Sequence, residues 1–433
     1  MTTTRLFTAL IVILSLLSPI CLASAAEIPA AAIIPVDDAW RARLPRNPEA
    51  ATQAYLDRLS PEGRARSDAY FEGGYWLQLW GFLYGLGVAW LLLGTRLSAR
   101  MRDLAERFTR RKPLQTVAYA VQYILATWLL TLPLTTYAGF FREHQYGLAT
   151  QSFGPWFAEL LVTLGITVVL GSVGLAIIYG VIRRAQRTWW LWGAVVSMVL
   201  FAFVSLISPL YIDPLFNTYK PLEQGPVKSA ILSMARANGV PADNVYQFDA
   251  SRQTTRISAN VGGFLGTTRI ALNDNLLTGT SPVEIKAVMA HELGHYVLNH
   301  IYKMIVTAGL LTAIGFALIQ RAFEGVNARW GRLWDVRGVG DTAGLPLLAG
   351  LLSAYLFMMT PIINTIIRSQ EIEADMFGLN AAAEPDGFAE VALKLSVYRK
   401  MAPGAIEEFI FFDHPSGRNR IYAAMRWKAE KAK

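Results

Sequence analysis

The chain has one cysteine, Cys21, in 433 residues. A lone thiol excludes an intramolecular disulfide and a cysteine-built zinc site, and no cysteine motif marks a nucleophile. Charge is also scarce. Asp, Glu, Lys and Arg make up 17% of the chain, against roughly 25% in ordinary soluble proteins. Histidine is scarcer still, with five residues. There is no internal repeat and no low-complexity segment. No basic stripe interleaved with aromatics accompanies the net charge of +8, so nucleic acid is not an expected partner.

What is abundant is apolar sequence, 53% of the residues. Residues 1–26 read as a signal peptide or a first membrane helix. Arg5 gives a basic start, Leu6 to Leu17 an apolar core, and Ala23-Ser24-Ala25 an A-x-A cleavage signal. Ile20 before Cys21 makes a poor lipidation site. Residues 27–72 are polar and extramembrane, helical over Ala50 to Tyr70. Residues 73–212 hold four apolar runs that can each span a bilayer, near 73–94, 115–140, 153–182 and 188–212. Arginines crowd 96–112 and 181–187, while 141–147 is far less basic, so the two basic loops are expected in the cytoplasm. Glu159, inside a run but near its end, reads as interfacial, with a functional role as the alternative.

From Asp213 the composition becomes that of a soluble domain. Val227–Asn238 reads as an amphipathic helix. Val245–Phe248, Ile257–Phe264 and Thr268–Leu272 read as short strands, with tight turns at Gly262, Gly263 and Gly266. Ser281 to His300 then carries His291-Glu292-Leu293-Gly294-His295, an H-E-x-x-H motif. Residues four apart on a helix lie only about 40° apart around its axis, so both imidazoles can address one cation. Glu292 stands beside them, placed to take a proton from water rather than to bind the ion. Ser281, Pro282 and Glu284 form a helix-start signature. The expected organisation is a protease domain's first part at 213–302, a membrane hairpin at 303–366 entered by the motif helix itself, and the second part at 367–433.

A catalytic zinc keeps three protein ligands and one open position. Glu371 and Asp375, just after the last span, share a helix face, so one can bind the ion while the other orients a histidine. The residues alone also leave Glu373 open as the ligand. A hairpin brings this stretch back to the base of the motif helix. His414, in Asp413-His414-Pro415, reads by itself as part of a surface turn; brought near the zinc, it could instead donate to an oxyanion, with arginines near it. His300 is rotated off the ligand face and reads as structural.

These motifs resemble the M48 family of membrane zinc metalloproteases, and the CAAX prenyl protease (Ste24) type more than the HtpX type. The resemblance lies in H-E-x-G-H with a further histidine (His291, Glu292, Gly294, His295, His300). It extends to R-x-x-E-x-x-x-D (Arg368, Glu371, Asp375), H-P-x-x-x-x-R (His414, Pro415, Arg420) and the entry Tyr219-Lys220-Pro221-Leu222-Glu223-Gln224-Gly225-Pro226-Val227-Lys228. It implies an all-α polytopic membrane protein of six or seven spans, with a zincin-type (gluzincin) domain containing a small β-sheet. One Zn2+ would be held by His291, His295 and Glu371, with Glu292 as general base. Asp375, His414 and Arg420 would complete the catalytic centre, and Asn260 would lie on an edge strand that pairs with substrate. Implied partners are the bilayer and a peptide or protein substrate, lipidated or membrane-embedded. An HtpX-like quality-control protease is the alternative, and a non-catalytic membrane scaffold is the alternative from another class. Ile367 departs from the serine usual in the Ste24 type. The leader and the arginine pattern predict a bacterial inner membrane protein with its active site on the periplasmic side.

Overall fold

The computed structural model describes residues 33–262 and 268–431. The leader expected at 1–26, Cys21 and the turns at Gly263 and Gly266 lie outside the described residues. Two short helices, Asp38–Ala42 and Pro48–Leu56, precede the first long one, α1 (Pro61–Gly94), which is capped by Ser60 with Pro61 at its first position. The apolar run begins about a third of the way along α1, so the polar first turns stand clear of the bilayer as part of the same rod. An amphipathic helix, α2 (Leu97–Phe108), follows, then α3 (Lys112–Gln145), α4 (Phe153–Arg184) and α5 (Trp189–Leu215). Each of these three contains one π-helical stretch. In α3 it follows Pro133, whose missing N–H interrupts the regular ladder.

The sheet comes next. Strand β1 (Tyr219–Pro221) lies where the sequence suggests only a polar entry. Tyr219 stacks on Phe248 and lies under the Arg269 guanidinium, contacts that no local pattern announces. Helix α6 (Pro226–Ala237) leads to β2 (Val245–Phe248), β3 (Ala259–Gly262) and β4 (Arg269–Asn273). The order is β1-β2-β4-β3, with β2 and β4 parallel and the outer pairs antiparallel. β3 is therefore an edge strand.

The motif helix is α7 (Pro282–Val297). It does not run on into the membrane as expected. Asn299 adopts a left-handed conformation (φ 57°), which asparagine tolerates, and a new helix, α8 (His300–Trp334), starts there. A loop returns the chain to α9 (Leu345–Ala382), followed by α10 (Pro385–Lys394), α11 (Ala405–Phe411) and α12 (Gly417–Lys431). Among the described residues, six helices are long and apolar enough to cross a membrane: α1, α3, α4, α5, α8 and α9.

Two ends of this bundle differ. At one, buried Arg102 pairs with Asp335 at 2.8 Å and Asp341 at 2.7 Å, Arg183 donates to the Gly340 carbonyl, and Arg337 pairs with Glu106. The basic stretches around 96–112, 183 and 337 thus meet there. At the other end, Tyr55 and Leu56 share a core with Leu393, Ile421 and Met425, and buried Arg58 pairs with Glu390 at 2.6 Å.

The contact that positions the motif is the crossing of α7 on α9. A Cβ at Gly378 would lie 3.0 Å from the His291 backbone nitrogen, and one at Gly294 3.2 Å from the Ala374 Cα. Both glycines allow backbone to approach backbone, and neither backbone can give way cheaply. Gly378→Val should cost about 1–3 kcal/mol through overpacking and should lower metal content as α9 is pushed away. Thermal unfolding in detergent together with metal analysis of the purified variant checks both effects.

Candidate metal centre

Helix α7 starts with the expected capping box, in which the Ser281 backbone N–H donates to Glu284 at 2.7 Å. Its ligand-bearing face carries His291 and His295, and α9 presents Glu371 to them. The two Nε2 atoms are 3.1 Å apart. Glu371 oxygens lie 3.3 Å from His291 Nε2 and 3.4 Å from His295 Nε2. A tetrahedral zinc with bonds near 2.0–2.1 Å would set its donor atoms about 3.3 Å apart. His291 and Glu371 are buried, and Glu371 Oε2 has no hydrogen-bond partner. A buried carboxylate oxygen that faces the His291 and His414 Nε2 atoms at 3.3 Å without a hydrogen bond to either is costly unless a cation joins them, so this donor set fits a metal ion.

Both imidazoles are oriented from behind. His291 donates from Nδ1 to Asp375 at 2.8 Å, and Asp375 is gripped in turn by both forks of the buried Arg420. That frees His291 Nε2 as a lone-pair donor. His295 is served by His300. The two Nδ1 atoms are 2.8 Å apart, and His300 Nε2 is 3.0 Å from Glu373, which also pairs with Lys303. His300 therefore does more than fill space, which the sequence reading missed. Five residues from His295 on an unbroken helix it would face elsewhere. The break at Asn299 turns it back. Glu373, left open as a ligand, is half-exposed and turned toward Lys303; it does not join the cluster.

The electrostatics follow from this packing. Burial pushes the Glu292 carboxyl up to about 7, helped by Glu371 and Asp375 and opposed by His291 and Arg420. Burial disfavours charge on both histidines. The Asp375 and Glu371 carboxylates nonetheless raise His291, while burial and the adjacent His291 lower His295. The cluster asks for one positive centre between the rings, not two.

His414 Nε2 lies 3.3 Å from Glu371 Oε2, and its Nδ1 is 2.8 Å from Asp413. The loop carrying it is fixed by Arg368, which donates to the carbonyls of Glu408 (2.9 Å) and Phe412 (2.5 Å). Asn260 sits exposed on β3, whose outer edge is unpaired among the described residues. Glu159 accepts from Gln253 at 3.0 Å and pairs with Arg252. It ties the start of α4 to the sheet domain, away from the cluster.

Comparison with known proteins bears on the family and the fold. The family model for peptidase family M48 matches residues 221–428, and that for the CAAX prenyl protease N-terminal region, five membrane helices, matches 43–218. An uncharacterized metalloprotease of Bacillus subtilis, YhfN, is 29% identical, the match spanning 79% of this chain and 82% of that one. CAAX prenyl protease 1 of Saccharomyces cerevisiae is 26% identical over 70% of each chain, and the human homologue 25% over 77% and 78%. The crystal structure of Ste24p from S. mikatae has the same fold, with a TM-score of 0.73 at 22% identity, covering 85% of this chain and 90% of that one. The chain belongs to peptidase family M48: it is a multi-pass membrane metalloprotease of the Ste24-like type.

His300→Leu removes the acceptor behind His295, whereas His300→Asn offers an oxygen where Nδ1 stood. Metal affinity should fall about 10- to 100-fold in the leucine variant and recover in the asparagine variant. Competition with a chelator measures it without reference to activity.

Proposed function

We infer that the chain is a zinc endopeptidase whose ion is held by His291, His295 and Glu371. The convergence of these three donors, with Glu371 Oε2 buried and making no hydrogen bond, is the observation that carries this reading. Two imidazoles and one carboxylate suit zinc better than calcium or magnesium, which take oxygen donors. When bound, zinc supplies a Lewis acid that brings the pKa of water toward 7 and polarises a carbonyl oxygen.

The protein's own groups do the rest. Glu292, with its carboxyl near 7, takes a proton from the attacking water and returns it to the leaving amine. His414 offers an N–H to the oxyanion on the scissile carbon. Asp375 holds His291 in the right tautomer. Arg420, occupied by Asp375, acts by holding that carboxylate rather than by touching substrate. An extended peptide adds to the free edge of β3 by main-chain hydrogen bonds, with Asn260 as a side-chain contact. Substrates are peptides of membrane-associated proteins, including CAAX-like C-termini such as those named for the eukaryotic relatives.

The gathering of arginines at the bundle end opposite the metal centre supports a cytoplasmic location for that end and a periplasmic one for the active site, in a bacterial inner membrane.

Glu292→Gln should retain metal and lose peptide hydrolysis by at least ~10²-fold, read with a quenched fluorescent peptide and metal analysis. Glu371→Ala should lose the ion; a stoichiometric metal site in that variant would move the ligand elsewhere. An alkaline phosphatase fusion after residue 213 should be active, whereas a fusion within 96–112 should be inactive. The reverse pattern would place the active site in the cytoplasm.

A further inference from the structure

A small cavity of about 20 Å³ lies against the metal centre, with His414 and Arg420 in its wall. One water needs roughly 10–15 Å³ by this measure, so there is room for a group with two small polar atoms. The wall also includes Arg399, Lys400, Asp413 and Phe71. Most of its charges are already engaged. Arg420 is bound to Asp375, Lys400 to Glu72 at 2.6 Å and Glu407 at 2.8 Å, and Asp413 to His414.

Arg399 is the exception. Its guanidinium forms no hydrogen bond or ion pair with any described residue, and its Nη1 is fully buried without a partner. Burial, and then the neighbouring Arg420 cation, push its pKa down, but a guanidinium does not give up its proton near neutral pH. A cation that keeps its charge, holds a buried Nη1 without a partner and makes no ion pair with a protein acid is suited to bind an anion. The planar fork matches a carboxylate with two parallel hydrogen bonds. The anion that an unmodified peptide carries is a carboxylate, either its C-terminus or an acidic side chain.

We propose that Arg399 binds a carboxylate of the peptide substrate in this cavity, fixing how far from that carboxylate the cleaved bond lies. Arg399 is then a specificity-determining residue, and the proposal rests on the endopeptidase reading above. Binding can be measured apart from cleavage, in the full-length Glu292→Gln chain in detergent. The probes are three fluorescently labelled peptides of one sequence: a C-terminal acid, its amide, and the amide with one aspartate near the end. The acid, or the aspartate-bearing amide, should bind about 10- to 100-fold more tightly than the plain amide, the span expected for a charge-assisted hydrogen-bonded pair. Which of the two binds tightly identifies the source of the carboxylate. With Arg399→Gln added, that preference should collapse to within about 3-fold while the plain amide's Kd and the metal content stay put. Equal binding of all three peptides overturns the proposal. So does a preference that survives Arg399→Gln, or a uniform loss for all three. Failure of the wild type to cleave any peptide would count against the endopeptidase reading and leave these Kd ratios readable.

Discussion

The close crossing of α7 and α9 at Gly294 and Gly378 is the constraint on which the rest depends. Neither His291 and His295 nor Glu371 and Asp375 could form a centre alone, because each pair belongs to a single helix and faces outward from it. Bringing the helices to backbone contact puts four side chains within reach of one point. Ordinary helix pairs stand 8–10 Å apart, with side chains filling the gap. A bulkier residue at either glycine would restore that gap and open the cluster. The stability of the crossing comes from elsewhere along α7. Ile285, Met289 and Leu293 are fully buried in the core shared with the sheet, and Gly387 brings the start of α10 against the Val283 carbonyl.

Burying this much charge needs compensation, and the protein itself supplies only part of it. Asp375 is neutralised by Arg420 and by its bond to His291. Glu371 and an ionised Glu292 remain, a net charge of minus two in a half-closed site. A divalent cation brings the total to zero, so the same ion that completes the coordination also offsets the repulsion from Glu371 that adds to the effect of burial on Glu292. The outer groups are less costly to place. Glu373 and Lys303 are about half-exposed, so the His295–His300–Glu373 chain leads from the buried cluster to solvent, where charge is inexpensive.

Much of this was legible in the sequence because it is local. H-E-x-x-H and Glu371/Asp375 are i, i+4 relations, which a helix enforces whatever surrounds it. The long helices follow from composition. The choice between Glu371 and Glu373 could not be made from spacing, since residues two apart point to opposite sides and only the crossing decides which side matters. His300 was misjudged because its direction depends on one left-handed residue, Asn299. β1 escaped notice because a three-residue edge strand ending in proline has no periodicity to detect. The Arg58–Glu390 pair joins segments remote in sequence, and no local pattern reports such a partner.

The continuity of α9 sets the depth of the centre. From Leu345 to Ile366 the helix rises ~32 Å at about 1.5 Å per residue, which matches the ~30 Å hydrocarbon core of a bilayer. Glu371 is one and a half turns further on, roughly 7–8 Å beyond that core and so at the level of the lipid headgroups. The same helix that crosses the membrane therefore carries the acidic member of the cluster, continuing through its one interior proline, Pro361. A peptide bond presented there need not leave the interface to be cleaved, and one far from the surface would have to be drawn down to it. The continuous helix also ties the cluster's geometry to the packing of α8 and α9, where a Cβ at Gly315 would lie 2.5 Å from the Tyr355 ring. Loosening that contact inside the bilayer would tilt α9 and shift Glu371 relative to the histidines on α7.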